Sequence, residues 1–248
     1  MFPIRDHNPS NRTPYVTYAL IIINVAVFLI NYPIMNNAAA MSAFYYDWST
    51  VPALIMQGEQ THTILTSMFL HAGVFHIAGN MLFLWIFGDN LEDSFGHVGF
   101  LLFYLACGVA ADLAHILSEP ASNIPTVGAS GAIAGVMGGY LLLFPKARVD
   151  VIFFIFVFFK RFTLPAWGML IFWFGMQIFS GVGADISAGG IAYWAHIGGF
   201  IAGLVLTIPY WMRHRNKPAW QENKGRPPNP PRQYIERETT VPTVRRRK

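Results

Sequence analysis

The chain has 248 residues, of which 54% are hydrophobic and only 12% are charged. An average soluble domain carries about twice that charged fraction. The stretch 16–206 is largely apolar, whereas both ends are polar, so an ordinary soluble globular protein is excluded. We expect a cytoplasmic N-terminal segment at 1–14, one membrane domain at 15–212, and a basic, Pro-rich, disordered cytoplasmic tail at 213–248.

Six apolar stretches approach the roughly 20 residues that a membrane-spanning helix needs. The first is longer than a signal-peptide core and lacks a cleavage pattern, so we interpret it as a retained anchor. A further apolar run at 151–159 is too short to span and is expected at the membrane surface or packed against the bundle. The predicted spans are 15–32, 64–88, 98–117, 130–144, 164–181 and 191–212.

The distribution of basic residues predicts the orientation of these spans, because cytoplasmic connections carry the Lys and Arg. With both termini inside, all 17 basic residues fall on the cytoplasmic side and the three outer connections contain none. One predicted inner loop holds only the acids Asp89, Glu92 and Asp93, which contribute little to this rule. The pattern therefore supports six spans with both ends in the cytoplasm.

Ser130 follows a polar, Pro-containing outer loop at 122–125 and begins the fourth predicted span. At a helix N-terminus, free backbone N–H groups and the helix dipole would stabilise an oxyanion beside the serine. Gly128 and Gly131 flank this serine and would let a substrate backbone approach closely. Small residues are also common in membrane helices for packing alone, so this string is weak evidence by itself.

His196 opens the sixth predicted span, where an ionisable residue indicates a functional site. The topology puts Ser130 and His196 at a similar depth near the outer face. Glycines at four-residue spacing in both spans favour close helix packing: Gly131, Gly135 and Gly139 in one, Gly199 and Gly203 in the other. Two such helices would bring together a nucleophile, Ser130, and a general base, His196.

His76 and Asn80 are four residues apart and share one face of the second span. Both are suitable donors for a tetrahedral oxyanion. His71, on a continuous helix, would point away from that face and have a structural role. A metal site of His71, His76, His115 and His196 is disfavoured because Cys, Asp or Glu partners at ligand spacing are absent, so no metal or cofactor is expected.

Two further acids, Asp112 and Asp185, lie in a predicted span and in a predicted outer loop. Asp112 and His115 are three residues apart in the third span and are expected to pair with each other or to face a polar cavity. Asp185 could orient His196 as a third triad member, but it lies in a flexible Gly-rich loop, so this role is not expected.

Together, these residues resemble the rhomboid family of intramembrane serine proteases. The resemblance covers about 15–212 and includes the stretch 66–71. The motifs, in chain order, are His76-x-x-x-Asn80, Gly128-x-Ser130-Gly131 and Ala195-His196-x-Gly198-Gly199-x-x-x-Gly203.

The resemblance implies an all-α membrane protein with a six-helix bundle and a water-filled cavity open to the outer face. It implies a Ser130/His196 dyad without a third acid, and an oxyanion hole formed by the Ser130 N–H, His76 and Asn80. Two positions depart from the family: His62-Thr63 stands where many relatives have Trp-Arg, and Ala134 replaces an aromatic residue that in some relatives stacks on the catalytic histidine.

The expected function is serine endopeptidase activity on transmembrane segments of membrane proteins, through an acyl-enzyme. The alternative is a rhomboid-like pseudoenzyme that binds or escorts membrane helices, although this chain keeps both dyad residues. A transporter is disfavoured because no repeated half is visible. Membrane lipids are expected partners, nucleic acid is not, the oligomeric state is open, and the resemblance suggests a bacterial inner membrane.

Overall fold

A computed structural model describes residues 2–155, 158–183 and 191–215. Most of the predicted disordered tail (216–248) and Asp185 (within 184–190) lie outside these described residues. The helices are α1 (Tyr15–Asn31), α2 (Ala38–Trp48), α3 (Pro52–Met56), α4 (Thr63–Thr66), α5 (Val74–Ser118), α6 (Ser130–Leu143), α7 (Ala166–Gly183) and α8 (Tyr193–His214). Two short 3-10 helices occupy Tyr32–Ile34 and Ser67–Phe69, and three strands are β1 (Phe2–Asp6), β2 (Arg148–Ile155) and β3 (Phe158–Pro165).

Four of the described helices are long and apolar enough to cross a membrane: α1 with the 3-10 turn after it, α5, α7 and α8. Helix α5 has 45 residues and is broken at Gly96, whose backbone (φ 73°, ψ 165°) is not helical. Helix α6 has 14 residues, so it is about 21 Å long. It is therefore shorter than the roughly 30 Å hydrocarbon core of a bilayer.

The second predicted span begins later than expected. Residues 64–69 form the end of α4 and a 3-10 turn, and α5 starts only at Val74. The segment is held by neighbours instead of continuing as a helix: Ser67 donates through its hydroxyl to Asp112 at 2.9 Å, and its carbonyl accepts from the Gly128 N–H at 2.9 Å. This segment therefore supports the loop that precedes Ser130.

Helix α6 is the centre of the bundle and is buried over most of its length. A short helix that is apolar all round is expected in such a position. The predicted close approach is confirmed: a Cβ at Gly199 or Gly203 of α8 would collide with the carbonyl oxygens of Gly131 or Gly135 of α6. The backbones of α6 and α8 are therefore in direct contact.

The all-α prediction was wrong in one respect, because β1, β2 and β3 form an antiparallel sheet in that order. The run predicted at 151–159 begins within β2, which pairs with β1 on one side and β3 on the other. An isolated strand would have left its backbone groups unpaired, and this pairing on both edges removes that cost. The sheet lies where α6 ends and α7 begins, far along α6 from Ser130.

Asp150 in β2 is a fully buried carboxylate that fastens the sheet. It accepts hydrogen bonds from His7 (2.9 Å), Thr163 (2.5 Å) and Arg161. Burial alone would raise the pKa of Asp150, but the hydrogen bonds from Thr163, His7 and Arg161 outweigh it and the pKa is lowered. Asp150 therefore stays ionised. It links β2 to His7 near the N-terminus and to Arg161 and Thr163 of β3.

The N-terminal segment is bound to the helices by polar contacts. Tyr140 of α6 donates to Asp6 at 2.7 Å and accepts from Asn8 at 3.3 Å. The acids of the predicted inner loop, which the charge pattern left unexplained, belong to the same set of contacts. Glu92 accepts from the backbone N–H groups of Val16 and Thr17 (2.8 Å each), so it caps the N-terminus of α1 from another helix.

Candidate active site

Ser130 is the first residue of α6, as the sequence predicts. The loop before it is held by a two-way backbone pair between Thr50 and Thr126 (3.1 and 2.8 Å). Gly128 adopts φ 136°, in the region that favours glycine, and a Cβ there would stand 2.9 Å from His76 Nε2 and 3.4 Å from Ser130 Oγ. The positive φ and the lack of space therefore both require glycine beside the serine.

The structure brings the predicted nucleophile and base together. His196 Nε2 lies 2.8 Å from Ser130 Oγ, which is hydrogen-bond distance. His196 lies in the first turn of α8, and the contact between Gly199 and Gly131 fixes the spacing of the two helices. Ser130 and His196 are both of intermediate exposure as whole residues.

His196 has two neighbours on α7 that the sequence analysis missed. Its Nδ1 lies 2.8 Å from Gln177 Oε1, and the Trp173 ring lies 5.8 Å from the imidazole at a 35° angle. Trp173 thus supplies an aromatic contact from α7, whereas Ala134 on α6 cannot. The signal was present in the sequence, because an amide within an apolar membrane helix commonly hydrogen-bonds to a neighbouring helix.

His76 and Asn80 lie on one face at the start of α5. His76 Nε2 and Ser130 Oγ both lie within 3.4 Å of the position that a Cβ of residue 128 would occupy. The two atoms therefore border the same small space beside Gly128. The Ala72 N–H donates to His76 Nδ1 over a long 3.4 Å, which leaves the proton of the neutral ring on Nε2. Asn80 is 8% exposed, and its Nδ2 has no acceptor among the described residues.

The prediction for His71 was wrong in its geometry. Because α5 begins at Val74, His71 lies in the preceding loop, and its ring meets that of His76 edge-on at 5.1 Å between centroids. Its two ring nitrogens are buried without a partner in the part of the chain that the structure describes. His71 therefore packs against His76 and does not point away from it.

Asp112 and His115 do not pair with each other, contrary to one of the two expectations. Asp112 accepts from the hydroxyls of Thr50 and Ser67 (2.9 Å each), and His115 Nε2 lies 2.9 Å from Thr126 Oγ1. Both side chains therefore hold the loops around Ser130 against α5. Within residues 2–155, 158–183 and 191–215, no group of three or more His, Cys, Asp or Glu residues is arranged to hold a metal ion.

The apolar helices, with a serine–histidine pair at the start of two helices, indicate a helical integral membrane protein. The sequence profile described as "Rhomboid domain" matches residues 58–213, which is more than half of the chain. This chain belongs to the rhomboid family.

Several curated relatives have names that place them in the same family. Rhomboid protease GluP of Bacillus subtilis is 34% identical over 132 residues, covering 53% of this chain and 25% of the relative. Rhomboid protein 1, mitochondrial, of Saccharomyces cerevisiae is 30% identical over 198 residues, covering 77% of this chain and 51% of the relative. Putative rhomboid protease YdcA of Bacillus subtilis is 28% identical over 134 residues, covering 48% of this chain and 67% of the relative. The chain thus spans a quarter of GluP and about half of the yeast protein.

Proposed function

We propose that this chain is an intramembrane serine endopeptidase that cleaves transmembrane segments of membrane proteins. The observation that carries the proposal is the 2.8 Å contact between His196 Nε2 and Ser130 Oγ at the N-terminus of a buried helix. A serine within hydrogen-bond reach of a base, which is itself held by a third group, is the arrangement of an activated nucleophile. The rhomboid family and relatives that are named as proteases support the same reading.

The proposed reaction begins when His196 Nε2 takes the proton of Ser130 Oγ and the oxygen bonds to the scissile carbonyl carbon. The carbonyl oxygen then carries a negative charge. When the C–N bond breaks, the leaving amine takes the proton from His196 and an acyl ester remains on Ser130. A water molecule, deprotonated by His196, then hydrolyses the ester and restores the serine.

The oxyanion that forms in this reaction needs donors that are in place beforehand. We assign this role to the backbone N–H of Ser130, to Nε2–H of His76 and to Nδ2 of Asn80. Asn80 supports the assignment because a buried amide N–H₂ without an acceptor is costly unless a ligand supplies one. The position of His76 Nε2 next to Gly128 supports it as well.

The topology that we propose has six spans, counting α5 as two helices across Gly96 and α6 as one short span. The basic residues then put both termini in the cytoplasm and Ser130 toward the outer face. In this arrangement 15–212 is the protease domain, between a short segment at 1–14 and a tail at 213–248. For the membrane we propose a bacterial inner membrane, although relatives are named as mitochondrial as well as bacterial.

A fluorophosphonate probe tests this function against the pseudoenzyme alternative. The detergent-solubilised full chain should be labelled at Ser130, and Ser130→Ala and His196→Ala should abolish labelling. Ser42→Ala, which changes an exposed serine of α2, is the matched control and should label like the native protein. A folded native protein that takes up no probe and cuts no model transmembrane substrate would favour the helix-binding pseudoenzyme.

A further inference from the structure

Gln177 is a polar side chain in the otherwise largely apolar helix α7. Within a membrane helix, an amide without hydrogen bonds costs free energy, so it needs a partner. The partner here is His196: Gln177 Oε1 lies 2.8 Å from His196 Nδ1. This contact connects the catalytic pair to a third helix.

The contact decides which ring nitrogen of His196 carries the proton. An amide oxygen can only accept, so Nδ1 must be the donor and the neutral ring keeps a lone pair on Nε2. Nε2 is the nitrogen that lies 2.8 Å from Ser130 Oγ. The imidazole is therefore already in the tautomer that can remove the proton of the serine.

Trp173 acts on the same ring from one helical turn earlier. It is four residues before Gln177, so both side chains leave the same face of α7. Its ring lies 5.8 Å from the imidazole of His196 and 6.1 Å from the ring of Phe200, which lies one turn further along α8. The face of the imidazole and its Nδ1 edge are thus both in contact with α7.

We propose that Gln177 is the positioning residue of His196, in the place where a catalytic triad has an acid. This inference rests on the proposed protease function. When His196 takes the proton of Ser130, the imidazolium still donates through Nδ1–H, and the amide oxygen dipole stabilises the new positive charge. A neutral amide achieves this without a buried carboxylate in the membrane, whose burial would be costly.

The test compares Gln177→Met, which keeps the length but removes the acceptor, with Gln177→Glu, which keeps an acceptor oxygen. Gln57→Met makes the same chemical change at the exposed residue that follows α3 and serves as the control. Fluorophosphonate labelling gives two quantities, since the final amplitude counts folded sites and the rate constant reports the reactivity of Ser130.

For Gln177→Met we expect full amplitude with a rate constant about 10- to 100-fold lower, as for a lost hydrogen bond to a charged group. With a model transmembrane substrate, kcat should fall by a similar factor at unchanged KM. Gln177→Glu should recover most of the loss. An unchanged rate constant for Gln177→Met, or a loss of amplitude that parallels a lower melting temperature, would overturn the positioning role.

A second measurement does not depend on any variant of Gln177 or on catalysis. Nitrogen NMR of the native protein with ¹⁵N-labelled histidine reports which ring nitrogen is protonated, and the signals that His196→Ala removes identify His196. We expect a protonated Nδ1 and a bare Nε2, whereas a proton on Nε2 would overturn the inference. If the probe does not label the native protein but His196 shows this tautomer, the proposed protease function is wrong, whereas the hydrogen bond between Gln177 and His196 is supported.

Discussion

Replacing Glu92 by alanine is expected to destabilise the fold by removing a buried hydrogen-bond acceptor. Glu92 is 1% exposed. Its carboxylate accepts from Val16 N–H and Thr17 N–H (2.8 Å each), from the Thr17 hydroxyl (2.7 Å), and lies 2.6 Å from His97 Nδ1. Pro14, the N-cap residue of α1, makes no side-chain hydrogen bond to the first turn. Glu92 is therefore the acceptor for the Val16 and Thr17 N–H groups.

The magnitude follows from the groups that lose their acceptor. Each buried donor left without a partner costs about 1–3 kcal/mol, and Glu92→Ala strands two backbone N–H groups and a hydroxyl. Water would reach some of them, so we expect a loss of about 3–5 kcal/mol in the free energy of unfolding. Glu92→Gln keeps one acceptor but loses the charge that favours a helix N-terminus, so we expect about 1–2 kcal/mol.

The assay is equilibrium unfolding in mixed micelles of a mild and a denaturing detergent. The matched control is Asp93→Ala, because Asp93 is the next acid and its hydrogen-bond and ion-pair partners among the described residues, Arg12 and Asn11, are exposed. Exposed pairs contribute about 1 kcal/mol or less. If Glu92→Ala and Asp93→Ala lowered the unfolding free energy equally, the capping of α1 by Glu92 would be refuted.

Three further predictions concern pH, helix packing and the oxyanion hole. Burial raises the pKa of Asp6 to about 7, so the folded state binds this proton more tightly. The unfolding free energy should therefore fall as the pH rises from about 4 to 7, by at most about 1.4 kcal/mol per pH unit. An equal dependence of the unfolding free energy on pH in Asp6→Asn would contradict this. Gly199→Ala should lower both the melting temperature and the labelling rate, because its Cβ meets the Gly131 carbonyl, whereas Gly175→Ala points into open space and should change neither. Asn80→Ala should lower kcat on a model substrate about 100- to 1000-fold, and an unchanged kcat would remove Asn80 from the oxyanion hole.

The parts of the site that could be predicted from the sequence are those set by local patterns. Ser130 begins α6 because a polar loop with Pro125 gives way to a run of small and apolar residues. Gly131 and Gly135 of α6 are four residues apart, as are Gly199 and Gly203 of α8, so the contact of the two helices could be expected from spacing alone. The meeting of Ser130 and His196 follows from these two local facts and the topology.

What could not be predicted depends on contacts between distant segments. The late start of α5 depends on Ser67, which is bound by Asp112 and Gly128, and neither partner is close in sequence. The sheet depends on pairing of residues near the N-terminus with β2, and a pattern within 151–159 cannot reveal a partner so far away. Gln177 carries a local signal, but its partner His196 lies on the next helix.

The pairing of β1 with β2 also constrains how the protein is made. Phe2 pairs with Ile152, so the two strands are about 150 residues apart in the chain. At about 5–20 residues per second, a ribosome needs roughly 10–30 s to synthesise that interval. During this time β1 has an unpaired edge, which is a surface prone to association. The strand β1 is thus paired only after most of the helices have been synthesised.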